Sequence, residues 1–200
     1  DLKAQESGWF DRSMPDMNLN NPYLLQYFKQ WTVWWIEWAD LDGLRVDTYP
    51  YNEKQPMSEW CEAIVAEYPN LNIVGECWTG NVPQLAYWQG GNGFDSHLPS
   101  IMDFPLRDAI CAALPTDSLR WGEGMIRVYD AVSNDFVYHD LSKMMIFTGN
   151  HDTDRTADIV RGNVGRAKIA MTLLATMRGI PQVFAGDELM FRSKELSQGH

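Results

Sequence analysis

The sequence predicts an α/β fold, a parallel sheet with crossover helices arranged as a (β/α)8 barrel. Three observations predict it. Short apolar runs alternate with longer amphipathic ones along the whole chain, the pattern of buried parallel strands each followed by a helix. Nearly every short run ends on its C-terminal side in charged or amide residues: Asp47, Glu76, Asp103, Asn150-His151-Asp152 and Asp187-Glu188. A barrel gathers such ends into one ring, where its active sites sit. A doubly wound sheet fits the alternation equally well, but its nucleotide-binding versions need a glycine-rich phosphate loop, and neither GxGxxG nor GxxxxGKS/T occurs. The barrel is therefore favoured.

In chain order, Asn21 and Pro22 form a helix start, with Asn21 as cap and Pro22 in the first turn. Leu24, Tyr27, Phe28, Trp31, Trp34, Trp35 and Trp38 then recur at helical spacing. Leu41 to Asp47 reads as a strand with a polar end. Pro56 to Tyr68 is a helix carrying Trp60, Ile64, Val65 and Tyr68 on one face, and Asn72 to Glu76 is a second strand. A short helix is expected over Val82 to Gln89 and a third strand over Ser100 to Phe104. Helices follow near Leu106 to Ala113 and Ser118 to Val132. Met144 to Thr148 is a fourth strand. Asn163 to Met177 is a helix ended by Gly179 and Pro181, and Gln182 to Ala185 is a fifth strand.

Composition narrows the function. The 200 residues hold 16 Lys plus Arg against 27 Asp plus Glu, a formal charge of −11, so nucleic-acid phosphate is a poor partner. Hydrophobic content of 45% and charged content of 22% are those of a folded globular chain, not a disordered one. No apolar run reaches the ~18 residues of a membrane span. Asp1-Leu2-Lys3 lacks the basic and apolar regions of a signal peptide, which leaves the compartment open. Cys61, Cys77 and Cys111 have no metal-ligand spacing and read as small buried hydrophobes. Nine Trp, eight Tyr and eight Phe build cores, but in an acidic chain they also suit the apolar faces of sugar rings.

Asp47 and Glu76 lie about one βα unit apart, so both belong at the same end of adjacent strands. Arg45, two residues before Asp47, shares its side of the strand, and its guanidinium is expected to keep Asp47 ionised. Leu44 and Val46 then point outward to the helices. Glu76 has no basic neighbour in sequence and sits among Gly75, Cys77 and Trp78, a setting expected to hold a proton on it. One ionised and one protonated carboxyl is the pairing of retaining glycoside hydrolysis. Asp152, with His151 beside it, adds a third anion suited to an oxocarbenium-like transition state. Metal binding is the other reading of several carboxylates, but no DxDxDG-like run supports it.

These residues resemble the motifs of the alpha-amylase family of glycoside hydrolases. Gly43-Leu44-Arg45-Val46-Asp47 is similar to its nucleophile strand, and Val74-Gly75-Glu76-Cys77-Trp78 to its acid/base strand. Phe147-Thr148-Gly149-Asn150-His151-Asp152 resembles the strand of the transition-state stabiliser. Gly179-Ile180-Pro181 with Gly186-Asp187-Glu188 resembles the motif at the last barrel strand. Met14-Pro15-Asp16-Met17-Asn18 is similar to the segment before the third helix in the neopullulanase and cyclomaltodextrinase subgroup.

The resemblance implies Asp47 as nucleophile, Glu76 as acid/base and Asp152 as stabiliser. Arg45 would position Asp47, His151 would bond hydroxyls of the same sugar, and Arg155 would be a nearby pocket residue. Trp78 is either an aromatic platform on the leaving-group side or a core residue. Typical alpha-amylases carry Lys-His three and four positions after the nucleophile; here Pro50 and Tyr51 stand there, which puts both the Lys contact to substrate and the calcium contact of the His carbonyl in doubt. The family's Asp…Asn-His motif of the third strand is absent. Residues 1–200 are therefore read as the C-terminal part of the catalytic barrel, about its last five strands, with no second domain in this chain. The implied activity is retaining cleavage of α-1,4 and α-1,6 glucosidic bonds in starch-derived oligosaccharides, pullulan or cyclodextrins. Transglycosylation by the same chemistry, or a non-catalytic glucan-binding relative, is the alternative. The implied partner is an α-glucan oligosaccharide. No cofactor is required by the sequence, and calcium would enter only through the part of the barrel outside it. Family analogy favours the periplasm or secretion over the cytoplasm, and oligomeric state is not readable.

Overall fold

In the computed structural model, residues 8–118 and 120–193 are described. The N-terminal Asp1-Leu2-Lys3 and, within the helix expected over Ser118 to Val132, Leu119 lie outside them. The chain forms two compact units. Of the described residues, one unit comprises 8–78 and 83–101, the other 79–82, 102–118 and 120–193.

The first unit opens with α1 (Pro22–Ala39). The Asn21 side chain accepts the N–H groups of Tyr23 and Leu24, as its place before Pro22 predicts, and Asp40 closes the helix in the left-handed conformation. The aromatic spacing identified the helix but not its inner face. Leu25, Thr32 and Ile36 are buried, whereas Tyr27, Trp31, Trp34 and Trp38 are exposed. Strand β1 (Gly43–Val46) follows, then a 3-10 turn over Tyr49–Tyr51 and helix α2 (Lys54–Glu67). Trp60 on α2 donates its indole N–H to Thr32 Oγ1 (3.1 Å), whose hydroxyl donates to Phe28 O (2.8 Å), so a short polar chain joins the two helices. Strand β2 (Asn72–Gly75) pairs parallel with β1, Arg45 opposite Val74 and Val46 opposite Gly75. Short helix α3 (Val82–Ala86) leads to β3 (Ser100–Met102), parallel to β2. Leu25, Phe28, Trp35, Leu44, Val46 and Trp60 line a groove of about 650 Å³ beside β1.

The second unit holds α4 (Phe104–Ala113), α5 (Ile126–Val132), β4 (Met144–Ile146), α6 (Thr156–Ile159), α7 (Val164–Thr176) and β5 (Ile180–Pro181). Its core packs Leu106, Ile110, Val128, Ile146, Ala170 and Leu174 together. Two expectations change here. The helix expected from Ser118 begins only at Ile126, because Gly122 and Gly124 take positive φ angles of 78° and 67° that no helix tolerates. The last strand is Ile180–Pro181 rather than Gln182 to Ala185. Ile180 pairs with Met145 and Pro181 with Ile146, and the Gln182 N–H makes a further bond, to Ile146 O (2.8 Å). Gly179 permits this early start. Its φ is 98°, and a Cβ there would meet Met144 O at 2.3 Å. Pro181, taken in sequence for a helix stop, lacks an N–H and suits a strand paired on one side.

Asp103 is not a free strand-end carboxylate. It caps α4 by accepting the Leu106 N–H (3.0 Å), and Arg178 Nη1 donates to its other oxygen (2.6 Å). Arg178 also pairs with Asp135 and lies over the Tyr138 ring.

Candidate active site

In the first unit, β1 and β2 bring Arg45, Asp47 and Glu76 together. Register explains how. Arg45 stands opposite Val74, so Asp47 and Glu76, each two residues further, project from the same face of adjacent strands. The β1–β2 ladder continues one step beyond Gly75, with the Glu76 N–H bonded to Val46 O (2.9 Å). One guanidinium then serves both acids. Arg45 Nη1 pairs with Asp47 Oδ1, and Nη2 donates to Glu76 Oε1 at 2.7 Å. Glu76 therefore has a basic neighbour in space that sequence adjacency hides, and the apolar setting expected for it is corrected. Glu76 is 5% exposed, whereas Asp47 is open to solvent. Asp47 can meet an incoming molecule directly, while Glu76 works from a fixed, walled position.

The turn after Asp47 holds Glu76 from the other side. The Thr48 N–H donates to Glu76 Oε2 (3.0 Å), and the Tyr49 N–H donates to Glu76 O (3.1 Å). Both are backbone groups, which no side-chain motif could have revealed. Trp78 is exposed and is not a core residue.

In the second unit, Asp152 follows β4. The Asn150 side chain is buried and accepts the Asp152 N–H (3.0 Å), while the Asn150 N–H donates to Thr153 Oγ1 (2.9 Å). This tight turn fixes the backbone that presents Asp152. Asn150 was read only as part of a polar run; its place two residues before the acid is the signal for such a turn. His151 Nε2 lies 3.0 Å from Asp152 Oδ2, and both side chains are solvent-exposed. Arg155, expected as a nearby pocket residue, is held by the chain around it. It is buried, donates to Ala185 O (2.9 Å), lies 3.5 Å from Asp187 Oδ1 and stacks over Phe184. The Thr156 hydroxyl donates to Asp187 Oδ2 (2.6 Å). Arg155 and Thr156 thus tie the chain after β5 to α6. Among the described residues no three His, Cys, Asp or Glu side chains form a group able to hold a metal ion, and no helix is long and apolar enough to cross a membrane.

Comparison with known proteins gives concordant matches. The model for the alpha-amylase catalytic domain matches residues 8–199. A cyclomaltodextrinase of Thermoanaerobacter pseudethanolicus is 30% identical over 88% of this chain and 29% of its own length. A maltogenic alpha-amylase of Bacillus acidopullulyticus is 27% identical over 90% of this chain and 29% of its own. Among solved structures, the alpha-amylase of Geobacillus thermoleovorans complexed with acarbose superposes with a TM-score of 0.84, at 28% identity, over 96% of this chain and 42% of that one. The chain thus spans about 29% of the length of the curated relatives it matches.

Proposed function

The chain belongs to the alpha-amylase catalytic-domain family, whose fold is a (β/α)8 barrel, and on that premise we propose that the whole protein is a retaining glycoside hydrolase acting on α-linked glucans. The observation that carries the reading is the single guanidinium shared by Asp47 and Glu76. Two carboxyl groups bridged in this way favour the short separation of a retaining pair, about 5–5.5 Å, over the ~6.5–9.5 Å that leaves room for water in inversion.

In the proposed mechanism Asp47, open to solvent and oriented by Arg45, attacks the anomeric carbon. Glu76, in its protonated form, gives a proton to the leaving glycosidic oxygen. The glycosyl–Asp47 ester is then cleaved by a water from which Glu76 takes a proton, restoring both groups. The resemblance of the segment 147–152 to the family's motif carries the role of transition-state stabiliser to Asp152 and that of a sugar-hydroxyl partner to His151. Trp78 supplies an apolar surface on the leaving-group side. Arg155 acts more remotely than a sugar contact would, by holding the chain around Asp187. All three acids lie beyond the C-terminal ends of their strands, where barrel active sites form.

The substrate class follows from the relatives' names, cyclomaltodextrinase and maltogenic alpha-amylase, and from the subgroup-like segment at Met14 to Asn18. We assign α-1,4 and α-1,6 bonds of maltooligosaccharides, pullulan or cyclodextrins. The test is digestion of these three substrates by the full-length protein, with the first-formed anomer followed by NMR. An α-anomer is expected. A β-anomer as first product would remove Asp47 from the nucleophile role, and absence of cleavage of all three would overturn the reading. Longer oligosaccharides among the products would show a sugar hydroxyl replacing water as acceptor, with the same residues in the same roles.

A further inference from the structure

We propose that Tyr49 is a positioning residue for Glu76, acting through the backbone of Thr48. The inference rests on the reading of Glu76 as the proton donor and extends it to the group that aims it.

Thr48 has φ 45° and ψ 38°, in the left-handed region. A β-branched residue adopts this conformation only when its surroundings impose it. The conformation has a result: it points the Thr48 N–H at Glu76 Oε2, 3.0 Å away. The neighbours of Thr48 show what imposes it. Tyr49 is almost wholly buried, at 1% exposure. Its hydroxyl meets Cys61 Sγ of α2 at 3.4 Å. Burial pushes the phenol of Tyr49 up and the thiol of Cys61 up to about 12, so this contact joins two neutral groups. The ring lies over Gly75, where a Cβ would meet Tyr49 Cγ at 3.1 Å, and packs edge-on against Trp88 with centroids 5.9 Å apart. Asn52 Nδ2 approaches the carbonyls of Thr48 and Tyr49, both at 3.4 Å.

The side chain of Tyr49 is thus anchored on α2 and on β2, and its N–H is bonded to the carbonyl of Glu76 itself. With Asp47 fixed at the end of β1 and Tyr49 fixed in the core, Thr48 has one way to span them. That way presents its N–H to the carboxyl of Glu76. Arg45 holds one oxygen of that carboxyl and Thr48 the other, so its plane is set from two sides.

The test uses the full-length protein and two substrate types: a maltooligosaccharide, whose leaving group needs a proton, and an α-glycosyl fluoride, whose leaving group does not. Tyr49→Leu should lower kcat on the maltooligosaccharide about tenfold or more, a share of the ~10²–10⁴-fold that general acid catalysis supplies. KM should hold within about twofold, and the fluoride should lose less than about threefold. Adding Thr48→Gly to Tyr49→Leu should restore much of the lost rate, because glycine takes the left-handed conformation without an anchor. Cys61→Ala keeps the ring and frees the hydroxyl; it should show the same split more weakly, and it serves if Tyr49→Leu does not fold. Equal loss on both substrates with no rescue by glycine would reduce Tyr49 to a packing residue and overturn the proposal. If the parent protein cleaves neither substrate, the hydrolase reading is what fails. The clamp is then decided by the structure of Tyr49→Leu: a Thr48 that leaves the left-handed region supports it, and one that keeps its bond to Glu76 overturns it.

Discussion

Arg45 divides one guanidinium between two acids, and this division decides what single substitutions should do. Asp47→Asn removes the proposed nucleophile and should lower kcat by several orders of magnitude while substrate binding is kept, as measured by calorimetry with a slowly cleaved oligosaccharide. Glu76→Gln should match that loss on natural glucans yet spare the first step for glycosyl fluorides; equal loss on both would take Glu76 out of the acid role. The pairing of Arg45 with Asp47 was legible because residues two apart on a strand share a face. The bond from Arg45 to Glu76 was not, because it depends on the register of β1 against β2, which local sequence does not carry. Asp103 was misread for the same reason: its partner Arg178, which also bonds Asp135, comes from far along the chain. Burial raises the Asp103 carboxyl above its ordinary value, although Arg178 pulls it down. A carboxyl raised in the fold binds its proton more readily there than in the unfolded chain. Its contribution to stability is present below the unfolded value and is lost as pH rises through the folded one. Removing Arg178 takes away the cation that opposes this. Arg178→Met should therefore destabilise by about 3–5 kcal/mol near neutral pH, and by less in mildly acid buffer, where Asp103 can take up a proton. Urea denaturation at the two pH values checks the difference.

Among elements, the starts of α1 and α7 were the most legible and the last strand the least. Asn21, Asn163 and Asp103 each cap a helix with their own side chain. Such a cap is written in a few neighbouring residues; of the three, Asp103 was read instead as the end of a strand. The exposure of Trp31, Trp34 and Trp38 on α1 was not legible, because spacing tells which residues share a face, not what covers it. Strand β5 was placed two residues late because Gly179 and Pro181 are stop signals for a helix, and nothing local shows that a strand begins between them. The close approach at Gly179 makes a sharp prediction. Gly179→Ala would put a methyl group 2.3 Å from Met144 O at a positive φ, so β5 must shift away from β4. A loss of about 2–4 kcal/mol is expected, with amide exchange of Gln182, bonded to Ile146 O, accelerated more than that of α4.

For the whole chain, family membership was legible from motifs in the right order, whereas the division into two units was not, since no linker or change of composition marks it. Among the described strands β1 has a partner on one side only, as does β5. The groove of about 650 Å³ beside β1 and the exposed Trp31, Trp34 and Trp38 on α1 add apolar surface. Residues 1–200 expressed alone should therefore aggregate or remain molten and show no glucan cleavage; a soluble, cooperatively unfolding and active product would contradict this. The tryptophans make the two units optically unequal. Of the nine, only Trp121 belongs to the second unit, and it is fully exposed already in the folded chain. The other eight lie in the first unit, Trp34 and Trp38 among them as a parallel stacked pair with centroids 5.5 Å apart. Indole emission from the protein is thus a nearly private signal of the first unit. Far-ultraviolet dichroism records the helices of both. In a denaturation of the full-length protein carrying phenylalanine at its tryptophans outside this segment, coincident curves would mean that the first unit melts with the rest of the protein, and a gap would measure how far it melts apart from it.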